Sequence, residues 1–240
     1  MKFNSDSAFD RGSCRDDFKR DGFVHIPAVL HPNEAGDIHK VLTEATPWNL
    51  CFNDRQKHID IAPENLASMT AAQHDRLLEA VYAPARTAFQ YFYNNYPIFD
   101  AYKAGLNQGH LLHVFYEWLN SEEFLSLMRH VTGFEDISFA DAQATRFTAG
   151  HFLKRHDDNQ INKNRRAAFV FNFTDEWEAD WGGYLQLLDN KGHIRRGIKP
   201  VFNSLNILAV PQMHNVSFVT PFAGGARFAI TGWLRYGASV

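Results

Sequence analysis

The sequence predicts an α+β chain with a mainly β core. A helical support layer packs on a sandwich, jelly roll or barrel, and residues 1–240 form one domain. Three observations carry this. Residues 11–135 hold apolar side chains mostly at helical spacing. From about Gly133 onward, through 136–240, short β-like runs alternate with turn signals. No Pro/Gly/Ser-rich linker, internal repeat or low-complexity segment divides the two halves.

Residues 1–10 are polar and are expected to fray. CRDDFKRDGF reads as a short helix ending near Gly22, and VHIPAVL alternates as a strand does. In HPNEAGDIHKVLTEA a proline stands near a helix start, with Leu42 on the apolar face. AAQHDRLLEAVYAPARTAFQYFYNNYP reads as helix through Leu77, Leu78, Val81 and Tyr82, broken or kinked at Pro84. HLLHVFYEWLNSEEFLSLMRHVTG repeats the 3.6-residue pattern through Leu112, Phe115, Trp118 and Leu119. The β-like runs are ISFADAQATRF, RAAFVFNFT, GGYLQLLD, HIRRGIKP, NSLNILAV, HNVSFVTP and ARFAITGWLRY.

Composition narrows the function classes. A net charge of -3 exerts no general pull on nucleic acid or an anionic membrane, so neither is expected as a partner. No apolar run is long enough to span a bilayer. MKFNSDSAFDRGS lacks the apolar core of a signal peptide, so a cytoplasmic protein is expected. Cys14 and Cys51 form no CxxC and read as free thiols. Any metal must then be held by nitrogen and oxygen ligands.

HFLKRHDDNQ, residues 151–160, is the stretch with chemistry in it. His156 and Asp158 stand two apart, and on an extended segment both point to one side. Such a pair needs one more histidine to make a 2-His-1-carboxylate site with open positions, as in non-haem Fe(II) oxygenases. His214 opens a β-like run in VPQMHNVSFV and is the candidate. Further on, Arg227, Ala229, Thr231 and Trp233 share a strand face. A buried Arg227 would call for an anion, and its fork suits a carboxylate. A dicarboxylate could chelate the metal at one end and meet Arg227 at the other.

At this point the chain resembles the Fe(II)/2-oxoglutarate dioxygenases, in the prolyl hydroxylase-like branch. The likeness runs through RFTAGHFLKRHDD, RRAAFVFNF, WGGYLQL, PVFNSLNIL, MHNVSFV and RFAITGWL, over about residues 136–236. FKRDGFVHIPAVLHPNEAGDIH adds a weaker one near the start. The resemblance implies a double-stranded β-helix, the jelly roll or cupin barrel. It implies Fe(II) on His156, Asp158 and His214, 2-oxoglutarate on Arg227, O2 as oxidant and ascorbate as reductant. Its reaction hydroxylates an unactivated C–H bond and releases succinate and CO2. The substrate is expected to be prolyl or another amino-acid type, as a small molecule or within a peptide or protein. Because Asp158 is present, halogenation is disfavoured. The chain departs from the family where Phe147 replaces a tyrosine that helps bind the cosubstrate. Thr145, Gln143 or Asn172 would have to substitute, and Thr231 could add a hydroxyl. Tyr184 replaces an acidic residue found in many relatives.

Plainer readings stand beside these. His156-x-Asp158 alone is more often a polar loop. His151 is a weaker ligand candidate because it lacks the i+2 carboxylate. His110, His113 and Glu117 share a helical face, but a di-iron bundle needs a second Glu-x-x-His copy. None occurs, so they read as a helix histidine pair. Lys154, Arg155, Lys163, Arg165 and Arg166 form either a solvated rim or an anionic-substrate patch, with Arg166 and Trp233 taken as substrate contacts. Phe169, Phe171 and Phe173 alternate as core, and Gly182-Gly183 reads as a tight turn. The competing functions are a non-catalytic, metal-binding cupin-like sensor and a zinc-dependent isomerase or hydrolase. Oligomeric state stays open, a homodimer included.

Overall fold

A computed structural model describes residues 1–4 and 10–237. The first half interleaves helices and strands: α1 (Arg11–Asp21), β1 (Phe23–Ile26), α2 (Pro32–Glu44), β2 (Asn49–Asp54), β3 (Lys57–Ile61), α3 (Pro63–Ala67), α4 (Ala71–Ala85), β4 (Tyr91–Tyr96), α5 (Ile98–Lys103), α6 (Leu111–Leu119) and α7 (Glu122–Thr132). Strands then dominate: β5 (Ile137–Ala140), β6 (Gln143–Phe147), β7 (Phe152–His156), β8 (Arg165–Asn172), β9 (Leu185–Leu188), β10 (Ile194–Ile198), β11 (Ser204–Ala209), β12 (His214–Val216) and β13 (Arg227–Tyr236).

Local chemistry sets several boundaries. Asp10 caps α1 by accepting from Ser13 N–H, and Gly22 ends it with φ 64°. Ser121 restarts the helical pattern as the N-cap of α7, so the long run from His110 divides into α6 and α7. Pro84 lies in the last turn of α4. Beyond it the expected helix gives way to β4, because YFYNNY alternates its faces and finds β2, β6 and β7 to pair with.

The strands pair antiparallel in the order β1-β11-β8-β13-β6-β4-β7-β12-β9-β10, with β2 and β3 added beside β4 and β5 beside β13. The sheet curls into a jelly-roll half-barrel. Its free edges approach through Arg196 of β10, whose guanidinium lies 5.1 Å over the Phe23 ring of β1. The expected boundary at residue 136 is therefore corrected: β1, β2, β3 and β4 all come from the first half and join the same sheet.

Strands β8 and β13 separate two interiors. On one side Phe169, Phe171 and Ile230 pack with Phe115, Trp118, Phe124 and Leu42 of the helices. On the other Ala168, Val170 and Ala229 face Phe23, Leu185, Leu187 and Leu208 across the barrel. The N-terminus is held where fraying is expected. Phe3 bridges Leu30 and meets Trp118 edge-on, and the Met1 amino group lies 3.5 Å from Glu34. The remaining part of that expectation, residues 5–9, lies outside the described residues. No helix among the described residues is long and apolar enough to cross a membrane.

Candidate metal centre and anion pocket

The barrel encloses a cavity of about 310 Å³ that holds His156, Asp158, His214 and Arg227 on its wall. His156 ends β7 and His214 begins β12, and the two are direct register partners. The register jumps between them and the next pair, Val216–Leu153, so β7 bulges and turns His156 inward. Asp158 lies beyond the strand. Its φ of 62° bends the chain so that the carboxylate comes back to the imidazoles. Strand alternation, the expected reason for convergence, is thus replaced by a left-handed turn, which aspartate tolerates better than most residues.

Asp158 Oδ1 lies 3.4 Å from His156 Nε2, and Oδ2 lies 3.4 Å from His214 Nε2. Among the described residues this is the cluster of three whose ligand atoms all fall within 4.8 Å of one another. Both rings are oriented from behind. His156 Nδ1–H donates to Lys154 C=O at 2.9 Å, and His214 Nδ1–H donates to Gln212 C=O at 2.7 Å. That tautomer leaves each Nε2 lone pair turned toward the shared point, as a metal requires. Burial would raise the Asp158 carboxyl, but His156, His214 and Arg165 overcome it and hold the group down at about 2. Burial and the nearby His156 lower His214. The donor set is one carboxylate and two imidazoles, with one side of the cluster facing the cavity. It fits a divalent first-row ion with open positions.

Arg227 is 3% exposed, and burial lowers it to about 10. Its Nε has no hydrogen-bond partner and no carboxylate pairs with it among the described residues. The guanidinium lies 5.2 Å from the Phe147 ring centre. The Gly182-Gly183 turn, with φ 73° and 65°, makes room here. A Cβ on Gly182 would meet Phe218 O at 2.1 Å, and one on Gly183 would come within 3.5 Å of Arg227 Cδ. An isolated buried cation of this kind is costly, and an anion entering the cavity would remove the cost.

The other expected site residues divide. Gln143, Thr231 and Trp233 line the cavity. Thr231, however, already gives its proton to Phe169 C=O at 2.9 Å. Asn172 does not line the cavity; it is buried and donates to Ser204 Oγ. Arg166 is a correction. It turns outward, pairs with Asp136 and rests 4.1 Å over the Tyr236 ring. Arg165 enters the cavity instead. Its guanidinium stacks 3.4 Å over Trp233 and donates to Asp158 C=O at 3.0 Å. The cause is a bulge: Leu234 pairs with Ala167 but Arg235 pairs with Arg165, so residue 166 is skipped and simple alternation fails. Sequence reasoning also missed Phe89, Tyr91 and Tyr93, which line the cavity from a segment expected to be helical. The aromatic alternation in FQYFYNNY was the available signal.

His151 is buried against Phe92 and accepts from Thr148 N–H, away from the triad. His110 caps α6 and His113 meets Tyr96 Oη at 3.2 Å, so both serve the helical layer.

Residues 142–235 match the 2OG-Fe(II) oxygenase superfamily model, a span that contains all four of these cavity residues. Over those residues the chain is similar to a 2OG-Fe(II) oxygenase domain. Over 126 residues, half of its length, the chain is 29% identical to mouse prolyl 3-hydroxylase OGFOD1, and the match spans 22% of that protein. Its fold is similar to that of a Pseudomonas putida prolyl-4-hydroxylase, with TM-score 0.62 and 14% identity over 95% of this chain and all of that one. It is similar too to a Trichoplax adhaerens prolyl hydroxylase solved with a hypoxia inducible factor peptide fragment. There the TM-score is 0.61 and identity 16%, over 94% of this chain and 89% of that one. At such identities the structural likeness speaks for the fold.

Proposed function

We propose that the protein is an Fe(II)- and 2-oxoglutarate-dependent hydroxylase acting on a prolyl residue or a related amino-acid-type group in a peptide. One observation carries the reading: a buried, partnerless Arg227 and an open His-Asp-His cluster face one small cavity. A 2-oxoacid with a distal carboxylate answers both. Iron and 2-oxoglutarate, when bound, supply the activation of O2 that oxidises the C–H bond and yields succinate and CO2.

The chain's own residues do the rest. His156, Asp158 and His214 would hold the metal, kept in the binding tautomer by Lys154 and Gln212 carbonyls. Arg227 would bind the distal carboxylate through its fork. Arg165 steadies the Asp158 backbone while its stacking on Trp233 leaves a flat, cationic wall. With Phe89 and Tyr91, which also line the cavity, that wall suits a ring flanked by peptide carbonyls. The prolyl hydroxylase relatives support this substrate class. Unpaired, buried Cys14 and Cys51 support a reducing, cytoplasmic setting, and ascorbate fits it as reductant. The binding-protein and zinc-enzyme alternatives have no observation in their favour.

The test is succinate release with Fe(II), ascorbate and 2-oxoglutarate, with and without a panel of proline-containing peptides. Stimulation by a peptide, lost in Asp158→Ala, is expected. Arg227→Ala should mainly raise KM for 2-oxoglutarate. Full activity in either variant would overturn the assignment.

A further inference from the structure

One wall of the cavity offers only donors. Arg165 and Trp233 form it, and neither a guanidinium nor an indole N–H can accept a hydrogen bond. A peptide entering the cavity brings N–H groups as well as carbonyls, and an N–H shut away from water without an acceptor is costly.

Tyr91 of β4 supplies an acceptor through two residues of the β2–β3 hairpin. β2 lies between β3 and β4. Asp60 pairs with Cys51 and Cys51 with Tyr93, so Asp60 and Tyr93 share a sheet face, and alternation puts His58 and Tyr91 on it too. His58 and Tyr91 both line the cavity, with ring centroids 5.8 Å apart. Asp60 Oδ2 lies 2.9 Å from His58 Nε2, and Tyr91 Oη lies 2.6 Å from His58 Nδ1. A carboxylate only accepts, so in the neutral imidazole it takes the Nε2–H and leaves Nδ1 with a lone pair. Tyr91 then donates its own proton to Nδ1. Burial raises the Tyr91 phenol, so that proton is retained. With its O–H committed to His58, the Tyr91 oxygen is left as an acceptor, strengthened by the chain of bonds behind it. It stands close to the metal ligands: the Phe89 ring lies 5.8 Å from the Tyr91 ring and 5.8 Å from that of His156.

We propose that Tyr91 determines specificity: its oxygen, oriented by His58 and Asp60, accepts the N–H of the residue that follows the oxidised proline. This rests on the prolyl-peptide reading of the substrate. Proline has no N–H of its own, so the first donor after its carbonyl is that one. A trans peptide group presents its C=O and N–H in opposite directions. One group can therefore give its carbonyl to Arg165 of β8 and its N–H to Tyr91 of β4, with β13 and β6 between these strands. A second proline directly after the target lacks the N–H and is selected against.

The test compares two forms of one probe. They are the proline-containing peptide that most stimulates succinate release, and the same peptide with an ester oxygen in place of that N–H. The ratio of kcat/KM for amide over ester should be about tenfold higher in the wild type than in Tyr91→Phe, as expected for one hydrogen bond. The ester also weakens the carbonyl that meets Arg165, but that effect is common to both proteins and drops out of the comparison. His58→Ala should lower the ratio as well, because it removes the group that orients Tyr91. Equal ratios in wild type and Tyr91→Phe would overturn the proposal, and a merely structural role for Tyr91, which weakens both forms alike, gives that result. Should Tyr91→Phe not fold, His58→Ala and Asp60→Asn on the partly exposed hairpin carry the same comparison, and unchanged ratios in both would overturn it. If no peptide stimulates the wild type, the prolyl-peptide reading falls and takes the proposal with it, whereas stimulation with equal ratios removes the role of Tyr91 alone.

Discussion

Strands β8 and β13 present two faces of one sheet, and the two faces do opposite things. Toward the helices they carry Phe169, Phe171 and Ile230, each at most 1% exposed and packed by further aromatics. Toward the barrel they carry Ala168, Val170, Ala229 and Arg227 around open space. The same backbone ladder therefore supports a filled interior that stabilises the fold and an underfilled one that can take a ligand. Polar groups are tolerated on the second face because carbonyls and neighbouring charges orient them, and because an incoming ion or acid would complete them.

That contrast can be tested from its strongest consequence down. On the cavity face, His214→Ala should abolish metal binding and turnover while leaving the thermal transition nearly unchanged, measured by metal titration and by calorimetry. On the helix face, Phe171→Ala should do the reverse. It should cost about 3–5 kcal/mol of stability, yet retain turnover at temperatures where the variant is folded. A loss of metal affinity in that variant would show that the two faces are not separable.

Acid should reveal a third region. His151 is buried and neutral, and burial lowers it from 6.5 to about 4. Its folded value lies below the unfolded one, so the unfolded chain binds the extra proton between these pH values. Stability should therefore fall as pH drops from about 6.5 towards 4, by up to about 3 kcal/mol from this group. Denaturant titrations across that range should show a shallower acid limb in His151→Gln.

The smallest effects separate the two neighbouring arginines. Arg166→Ala removes an exposed pair with Asp136 and should change stability by at most about 1 kcal/mol, with no effect on turnover. Arg165→Ala should lower peptide-stimulated turnover, because it removes the cationic wall and a bond to Asp158 C=O. Equal behaviour of the two variants would contradict the bulge that separates them.

Much of this protein is decided by sequence alone. The β-rich second half, the helical supports, the phenylalanine face of β8 and the order His156, Asp158, His214, Arg227 all follow from local spacing and residue chemistry. Periodicity reports which side of an element is apolar, and side-chain type reports what could be bound. Tertiary structure decided the rest. Tyr91–Tyr96 became a strand because β2, β6 and β7 were there to pair with it. Asp158 met the histidines through a left-handed turn rather than strand alternation. A single skipped residue sent Arg165 inward and Arg166 out. Each of these depends on a partner strand distant in sequence or on one bulge. A one-residue change in register exchanges the faces of a strand, and local pattern cannot encode it.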